Sequence, residues 1–339
     1  MAERWVLRGV FSLTASQSEF AAMHSVMSGT DFSAAATLIA AGSALVLLVA
    51  TLEGVILNAV LKRPYDWRAY GASLGDALGR GLLRFLPLGA IQLLFAFLWE
   101  HRIYTMPAHA LWPWLLLLIG QDFFYYWMHR ADHRVRWLWA THAVHHSPNE
   151  MNLAVAYRLG WTQRLSGGAL FFAPLVLIGF HPLLVVGALS ANLLYQFWLH
   201  AAWIPKLGPL EYVLNTPSHH RVHHASNPQY LDANFGGVLI VFDRLFGTFV
   251  AERSDVPCRY GLTEPLHTYN PVKVALHEWV ALARDLRKAR GVRELVSYAF
   301  RPPGWRPGLL RAIDDEPSQL GKPLAPLPER RDGGDGAVA

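Results

Sequence analysis

Apolar residues in this chain come in long unbroken runs. Four stretches contain no Asp, Glu, Lys or Arg: residues 32–52, 85–99, 103–121 and 165–205. A helix that crosses a bilayer needs about 20 apolar residues, so the first and third runs are each long enough for one crossing, and the second needs its flanks to complete one. The fourth is 41 residues long. As a single helix it would measure about 60 Å, twice the ~30 Å of a hydrocarbon core, so it is expected to fold back on itself. The break is expected at "GFHP", residues 179–182, where glycine loosens one helix and proline cannot continue it. The pattern predicts an all-α membrane protein with about four transmembrane helices arranged as two hairpins.

Composition agrees. The chain is 53% hydrophobic and only 16% charged, below the share of charge usual in soluble domains. Its net charge of +5 could suggest a nucleic-acid partner, but the basic residues flank apolar runs or lie in the tail, and no basic stripe or RNA-binding motif occurs. That distribution suits anionic lipid headgroups and excludes nucleic acid. Lys62, Arg63, Arg68 and Arg80 follow the first run, and Arg130, Arg134, Arg136, Arg158 and Arg164 follow the third. By the positive-inside rule these loops are cytoplasmic. Residues 1–31 form an N-terminal segment, 32–300 a membrane and cap domain, and 301–339 a tail rich in Pro and Gly that buries little and is expected to be mostly disordered.

The single cysteine, Cys258, leaves no thiolate cluster for a metal. Histidine is the alternative, and the chain concentrates it. His129 and His133 stand four apart. His142, His145 and His146 form H-x-x-H-H, and His220, His223 and His224 repeat it in "SHHRVHH", with His219 just before. Residues at i, i+3 and i+4 share a helix face, so each group is expected to aim its rings at one point. Thr216 as N-cap and Pro217 at the first helical position would start the second H-x-x-H-H helix. Eight aligned imidazoles exceed what one zinc takes, so the count points to two metal ions without naming the element. His200, at the cytoplasmic end of the fourth run, is a further candidate. Haem would need only two axial ligands, and H-E-x-x-H is absent.

Counting back from His133 by four, seven and eleven gives His129, Tyr126 and Asp122 on one face. A carboxylate in a membrane-buried helix is costly and marks function by default. Asp122 and Tyr126 are therefore candidates for holding an imidazole in its tautomer, against a purely structural hydrogen bond for Asp122.

The set "DFFYYWMHRADH", "WATHAVHHSPNEMNLAVAYR", "QFWLH", "LGPLEYVLNTPSHHRVHH" and "GGVLIVFDRLFGTFVAE" resembles the fatty acid hydroxylase and sterol desaturase superfamily, most of all its alkylglycerol monooxygenase branch. The resemblance implies a helical membrane anchor topped by a cytoplasmic helical cap that holds a dinuclear metal site of two non-haem irons. It places ligands at His129, His133, His142, His145, His146, His220, His223 and His224, with His200 and His219 as additions. It also implies O2, a lipid substrate and an electron donor, either tetrahydropterin or a redox protein. The activity implied is hydroxylation of an unactivated C–H bond, on an ether lipid for this branch. The alternatives are desaturation or hydroxylation of a sterol, hopanoid or carotenoid, and a non-catalytic metal-binding membrane protein.

Overall fold

The computed structural model describes residues 29–83, 90–107 and 109–307. Among them every regular element is helical, and extended pairing is limited to the isolated bridges Leu214 with Leu239 and Ala225 with Tyr260. The chain divides into two units, residues 1–65 and 66–339.

Among the described residues the first unit holds one helix, α1 (Gly29–Val55), which loosens into a π-helical turn at Ile56–Val60. Leu45, Leu48, Leu52, Ile56 and Val60 are all exposed. Apolar side chains displayed along a helix make sense where lipid is the solvent, and the stretch Ala41–Val60 is long and apolar enough to cross a membrane. The hydroxyl of Thr51 is satisfied within the helix by Leu47 O at 2.7 Å.

The second unit starts with α2 (Trp67–Leu83), α3 (Ala90–Glu100), α4 (Leu111–Arg134) and α5 (Arg136–His146). After a 3-10 turn at Leu153–Tyr157 come the short α6 (Gln163–Ser166) and α7 (Ala173–Ile178), then α8 (Pro182–Leu199), α9 (Pro217–His223), α10 (Val241–Phe246), α11 (Pro271–Leu286) and α12 (Val292–Phe300). Helices α3, α4, α7 and α8 enclose an apolar core built on Phe95, Leu117, Phe172, Leu175, Val176, Phe180 and Val185. The outer faces of the same helices are apolar too: Leu111, Leu115, Leu118 and Ile119 on α4 and Leu183, Val186 and Leu194 on α8 are exposed. Helix α8 is the second element long and apolar enough to span a bilayer.

The break expected in the fourth run is at Gly179, whose φ of +120° favours glycine. A Cβ there would overlap the carbonyl oxygen of Tyr104. The link 103–106 lies against the break, with Ile103 N bonded to Leu177 O and Met106 N to Gly179 O. The two arms on either side of the break differ in length. The arm before Gly179 is regular only over Gly168–Ile178, about 16 Å of helix, because Gly167 (φ +91°) has already broken the chain. The third run differs from expectation at its start, since its helix begins at Leu111.

One residue redirects the chain into the polar half. Val135 is extended (φ −118°, ψ 112°), so α4 stops at Arg134 and α5 restarts at Arg136 on a new axis, packed back on α4. Helices α4 and α11 flank α5, and α9 closes on the end of α8.

Candidate metal centre

Nine histidines meet in the interior of the second unit. Helix α4 brings His129 and His133, α5 brings His142, His145 and His146, His200 caps α8, and α9 with its C-cap brings His220, His223 and His224. They sort into two groups, His129, His133, His142, His146 and His223 in one, His145, His200, His220 and His224 in the other. Within each group the candidate ligand nitrogens all lie within 4.8 Å of one another.

The sorting corrects the expectation that each H-x-x-H-H triplet converges on one point. Positions four apart stay together, as His142 with His146 and His220 with His224, whereas the third member of each triplet crosses to the other group. Adjacent helical residues project about 100° apart, which makes that division natural for a pair of centres side by side. The His146 and His224 rings, one from each group, stack at a centroid distance of 4.3 Å.

The backbone sets four of the tautomers. His129 Nδ1 donates to Phe235 O at 2.9 Å, His223 Nδ1 to Ala233 O at 2.9 Å, His200 Nδ1 to Gln196 O at 2.9 Å and His145 Nδ1 to Arg158 O at 3.2 Å. A neutral imidazole that donates from Nδ1 has only a lone pair at Nε2. Yet His145 Nε2 and His200 Nε2 face each other at 3.3 Å, and His200 Nε2 faces His220 Nε2 at 3.1 Å. In the other group His142 Nε2 lies 3.1 Å from both His129 Nε2 and His146 Nε2. His133 Nε2 and His223 Nε2 are buried with no hydrogen-bond partner among the described residues. Burial, reinforced by the neighbouring imidazoles, holds these rings far below the ordinary histidine range, His129 to about 3, and burial alone takes His200 to about 4. Extra protons therefore do not relieve the facing lone pairs at neutral pH. A cation at the centre of each group does, and the all-nitrogen donor set suits iron, zinc, copper or nickel.

Carboxylates stand behind two rings. Asp232 Oδ1 is 3.6 Å from His133 Nδ1 and Asp132 Oδ2 is 3.9 Å from His142 Nδ1. Burial pushes the Asp132 carboxyl well above its usual range. Neither acid stands out in the sequence, because Asp132 lies off the His129–His133 stripe and Asp232 is about a hundred residues away from its ring.

Asp122 contacts no imidazole by hydrogen bond. Its oxygens accept from Asn192 Nδ2, Val238 N and Leu239 N, each at 2.8 Å, tying α4 to α8 and to the loop 233–239. The structural alternative is therefore the one the geometry carries. Tyr126 is likewise one step removed, its hydroxyl bonded to Thr248 Oγ1 at 3.0 Å and accepting from Arg130 at 3.1 Å. The loop itself is a feature that histidine spacing does not reveal. It supplies both carbonyls that orient His129 and His223, and Asp243 fixes it by accepting from Phe235 N, Gly236 N and Thr248 Oγ1, each at 2.7 Å. Its glycines are obligatory, since a Cβ on Gly237 would come within 2.5 Å of Asn192 Oδ1 and 2.7 Å of Asp122 Oδ1.

His219 lies outside both groups. It points away from the groups, with Nε2 3.9 Å from Glu211 Oε2 and its ring edge-on to Phe249. Thr216 caps α9 as expected in position, but its hydroxyl donates to Glu211 Oε1 at 3.0 Å and not to the helix.

The fatty acid hydroxylase family model matches residues 114–248, the interval that holds every one of these histidines. Alkylglycerol monooxygenase of Homo sapiens is 42% identical over 243 residues, 69% of this chain and 54% of its own. The Xenopus tropicalis protein of that name is 38% identical over 252 residues, 72% of this chain and 56% of its own, and the Danio rerio protein 39% over 243 residues, 70% and 54%. This chain thus spans about half the length of the curated relatives it matches. No solved structure matches. Histidine spacing, helical scaffold and these likenesses agree, and the chain belongs to the fatty acid hydroxylase family, on the branch of the alkylglycerol monooxygenases.

Proposed function

We propose that this chain is a membrane oxygenase in which two irons, one in each histidine group, use O2 to hydroxylate an unactivated C–H bond of a lipid. The observation that carries the reading is the convergence of nine imidazoles into two adjacent groups, with the Nε2 lone pairs of His145 and His200 facing each other at 3.3 Å, an arrangement that a bound cation satisfies. Iron is favoured over other imidazole-loving metals by membership of an oxygenase family. The reaction balances as RH + O2 + 2e⁻ + 2H⁺ → ROH + H2O, so an external two-electron donor, a tetrahydropterin or a redox protein, is required. Bound iron would supply oxygen activation; the protein supplies the rest.

The rest follows from the residues described. Nine imidazoles converge inward, and four of them, His129, His223, His200 and His145, are held by backbone carbonyls of loop 233–239, Gln196 and Arg158. Asp132 and Asp232 stand where they stabilise the rings of His142 and His133 as donors. Eight of the nine rings are buried and His142 is half-buried, which limits the access of bulk water to an oxidising centre. An ether lipid is the favoured substrate, on the strength of the relatives' names. Hydroxylation at the carbon beside the ether oxygen gives a hemiacetal, which collapses to an aldehyde and a glycerol. We further propose that residues 32–300 act as one domain that crosses the membrane more than twice, with both histidine groups on the cytoplasmic side, as the basic residues after the first and third apolar runs favour. Residues 1–28 and 308–339, most of the N-terminal segment and tail, lie outside the described structure.

The test is incubation of the purified, iron-loaded chain with an alkylglycerol, O2 and a tetrahydropterin. Release of a fatty aldehyde in step with O2 uptake supports the reading. O2 uptake coupled to a sterol and not to the ether lipid overturns the substrate, and no coupled uptake with any lipid overturns the oxygenase.

A further inference from the structure

Away from the two histidine groups, a surface pocket of about 490 Å³ opens between the 3-10 turn Gly208–Tyr212 and the end of α10. Its wall includes Lys206, Arg244, Glu211, His219, Tyr212 and Phe249. The acids there are engaged. Glu252, also in the wall, is held by Arg221 through two bonds of 2.7 Å, and Glu211 Oε1 accepts from Leu207 N, Thr216 Oγ1 and Ser218 Oγ at 2.9–3.0 Å.

The cations are not neutralised in return. Lys206 Nζ donates to the backbone oxygen of Glu252 at 2.7 Å, and Arg244 Nη2 to the backbone oxygen of Glu211 at 3.1 Å. Neither forms an ion pair with a carboxylate among the described residues. Arg244 is also fixed in place, with its guanidinium carbon 3.8 Å from the Phe249 ring centroid and 5.6 Å from that of Tyr212. Lys206 and Arg244 face the cavity against one carboxylate outside a Lys or Arg ion pair, Glu211, so the wall keeps a net positive charge and can hold an anion.

The surroundings identify the anion's carrier. Trp203, Leu210, Tyr212, Val213 and Leu245, the chain neighbours of Lys206, Glu211 and Arg244, are each more than half exposed. Aromatic and aliphatic side chains mixed with Lys and Arg are the signature of a membrane–water interface. Helix α8, apolar enough to span the bilayer, ends at Leu199, four residues before Trp203. A soluble anion gives no reason for that apolar surround; a lipid does.

We propose that this pocket binds the anionic headgroup of a membrane lipid, its phosphate or carboxylate lying between Lys206 and Arg244 and its chains lying against the exposed apolar residues beside them. The site is separate from the histidine groups. Its occupancy does not depend on which metal they hold, so failure here leaves the oxygenase reading standing and the reverse.

The experiment uses the full chain in neutral detergent, titrated with dioleoyl phosphatidylglycerol or dioleoyl phosphatidylcholine and read by native mass spectrometry. The expected result is tighter binding of phosphatidylglycerol, and loss of roughly thirtyfold of that affinity in K206Q/R244Q, since each basic residue near an anionic lipid contributes about fivefold. K206R/R244K should keep the preference, and R287Q/R290Q, which removes the same charge just after α11, should keep it too. Native-like helical circular dichroism in each variant separates loss of binding from loss of fold. Equal binding of the two lipids, an equal loss in R287Q/R290Q, or full competition by millimolar inorganic phosphate would overturn the proposal.

Discussion

His145 Nε2 lies 3.3 Å from His200 Nε2 while both rings donate from Nδ1 to backbone carbonyls. Two lone pairs at that distance repel unless something positive lies between or beside them. The relationship joins α5 to the end of α8, across 55 residues of sequence. It also predicts how the centre fails. H200A should halve the iron content, by emptying the group of His145, His220 and His224, and reduce oxygen-dependent turnover at least about 100-fold. Metal analysis beside an activity assay checks both, and an unchanged iron content would remove His200 from the ligand set.

The loop 233–239 orients one imidazole from α4 and one from α9, and Asp243 orients the loop. D243N replaces one acceptor oxygen with a donor that faces backbone N–H groups. Iron affinity should fall about 10- to 100-fold, the usual cost of losing a group that orders metal ligands. Competition with a chromogenic chelator measures it. H133A should instead lose the ion of that group outright, so the two variants are distinguishable.

Acid should destabilise the metal-free protein. Burial lowers the histidines in the folded state, His129 to about 3 and His200 to about 4, whereas an unfolded histidine titrates near 6.5. Below pH 6.5 the unfolded chain therefore takes up protons that the folded chain refuses, and stability falls as the pH drops from 6.5 toward 4. Thermal melting of the metal-free chain across that window should show a falling midpoint, and saturating metal should move the loss to lower pH. A flat profile would mean that these rings are solvated.

Which parts of this were legible in the sequence depends on how local their causes are. Helix-phased histidines and a glycine that breaks an apolar run are local patterns, and His129, His133 and Gly179 sit where those patterns put them. The division of each H-x-x-H-H triplet between two groups was not legible, because it depends on α9 meeting α5 across about eighty residues. Asp122 misled for a related reason. A carboxylate on the histidine stripe invites a role with imidazole, but its oxygens meet the N–H groups of Val238 and Leu239 first. His219, next to three inward rings, turns out to Glu211 and Phe249 because neighbours on a helix diverge.

The break at Gly179 should be intolerant of any side chain. G179A would force a Cβ onto the Tyr104 carbonyl at a positive φ, so a loss of about 1–3 kcal/mol or more is expected. Thermal denaturation in detergent reads it directly. A variant as stable as the parent would show that the link 103–106 does not lie against the break.

The central claim is that two cations occupy two adjacent, all-histidine groups. X-ray absorption and metal analysis of the wild-type chain, reconstituted with ferrous iron without oxygen, test it together. The account predicts two irons per chain, each surrounded by nitrogen or oxygen at about 2.0–2.2 Å with no sulfur. One iron per chain, or iron that stays bound when His145 and His220 are both replaced by alanine and His133 and His223 likewise, would contradict it.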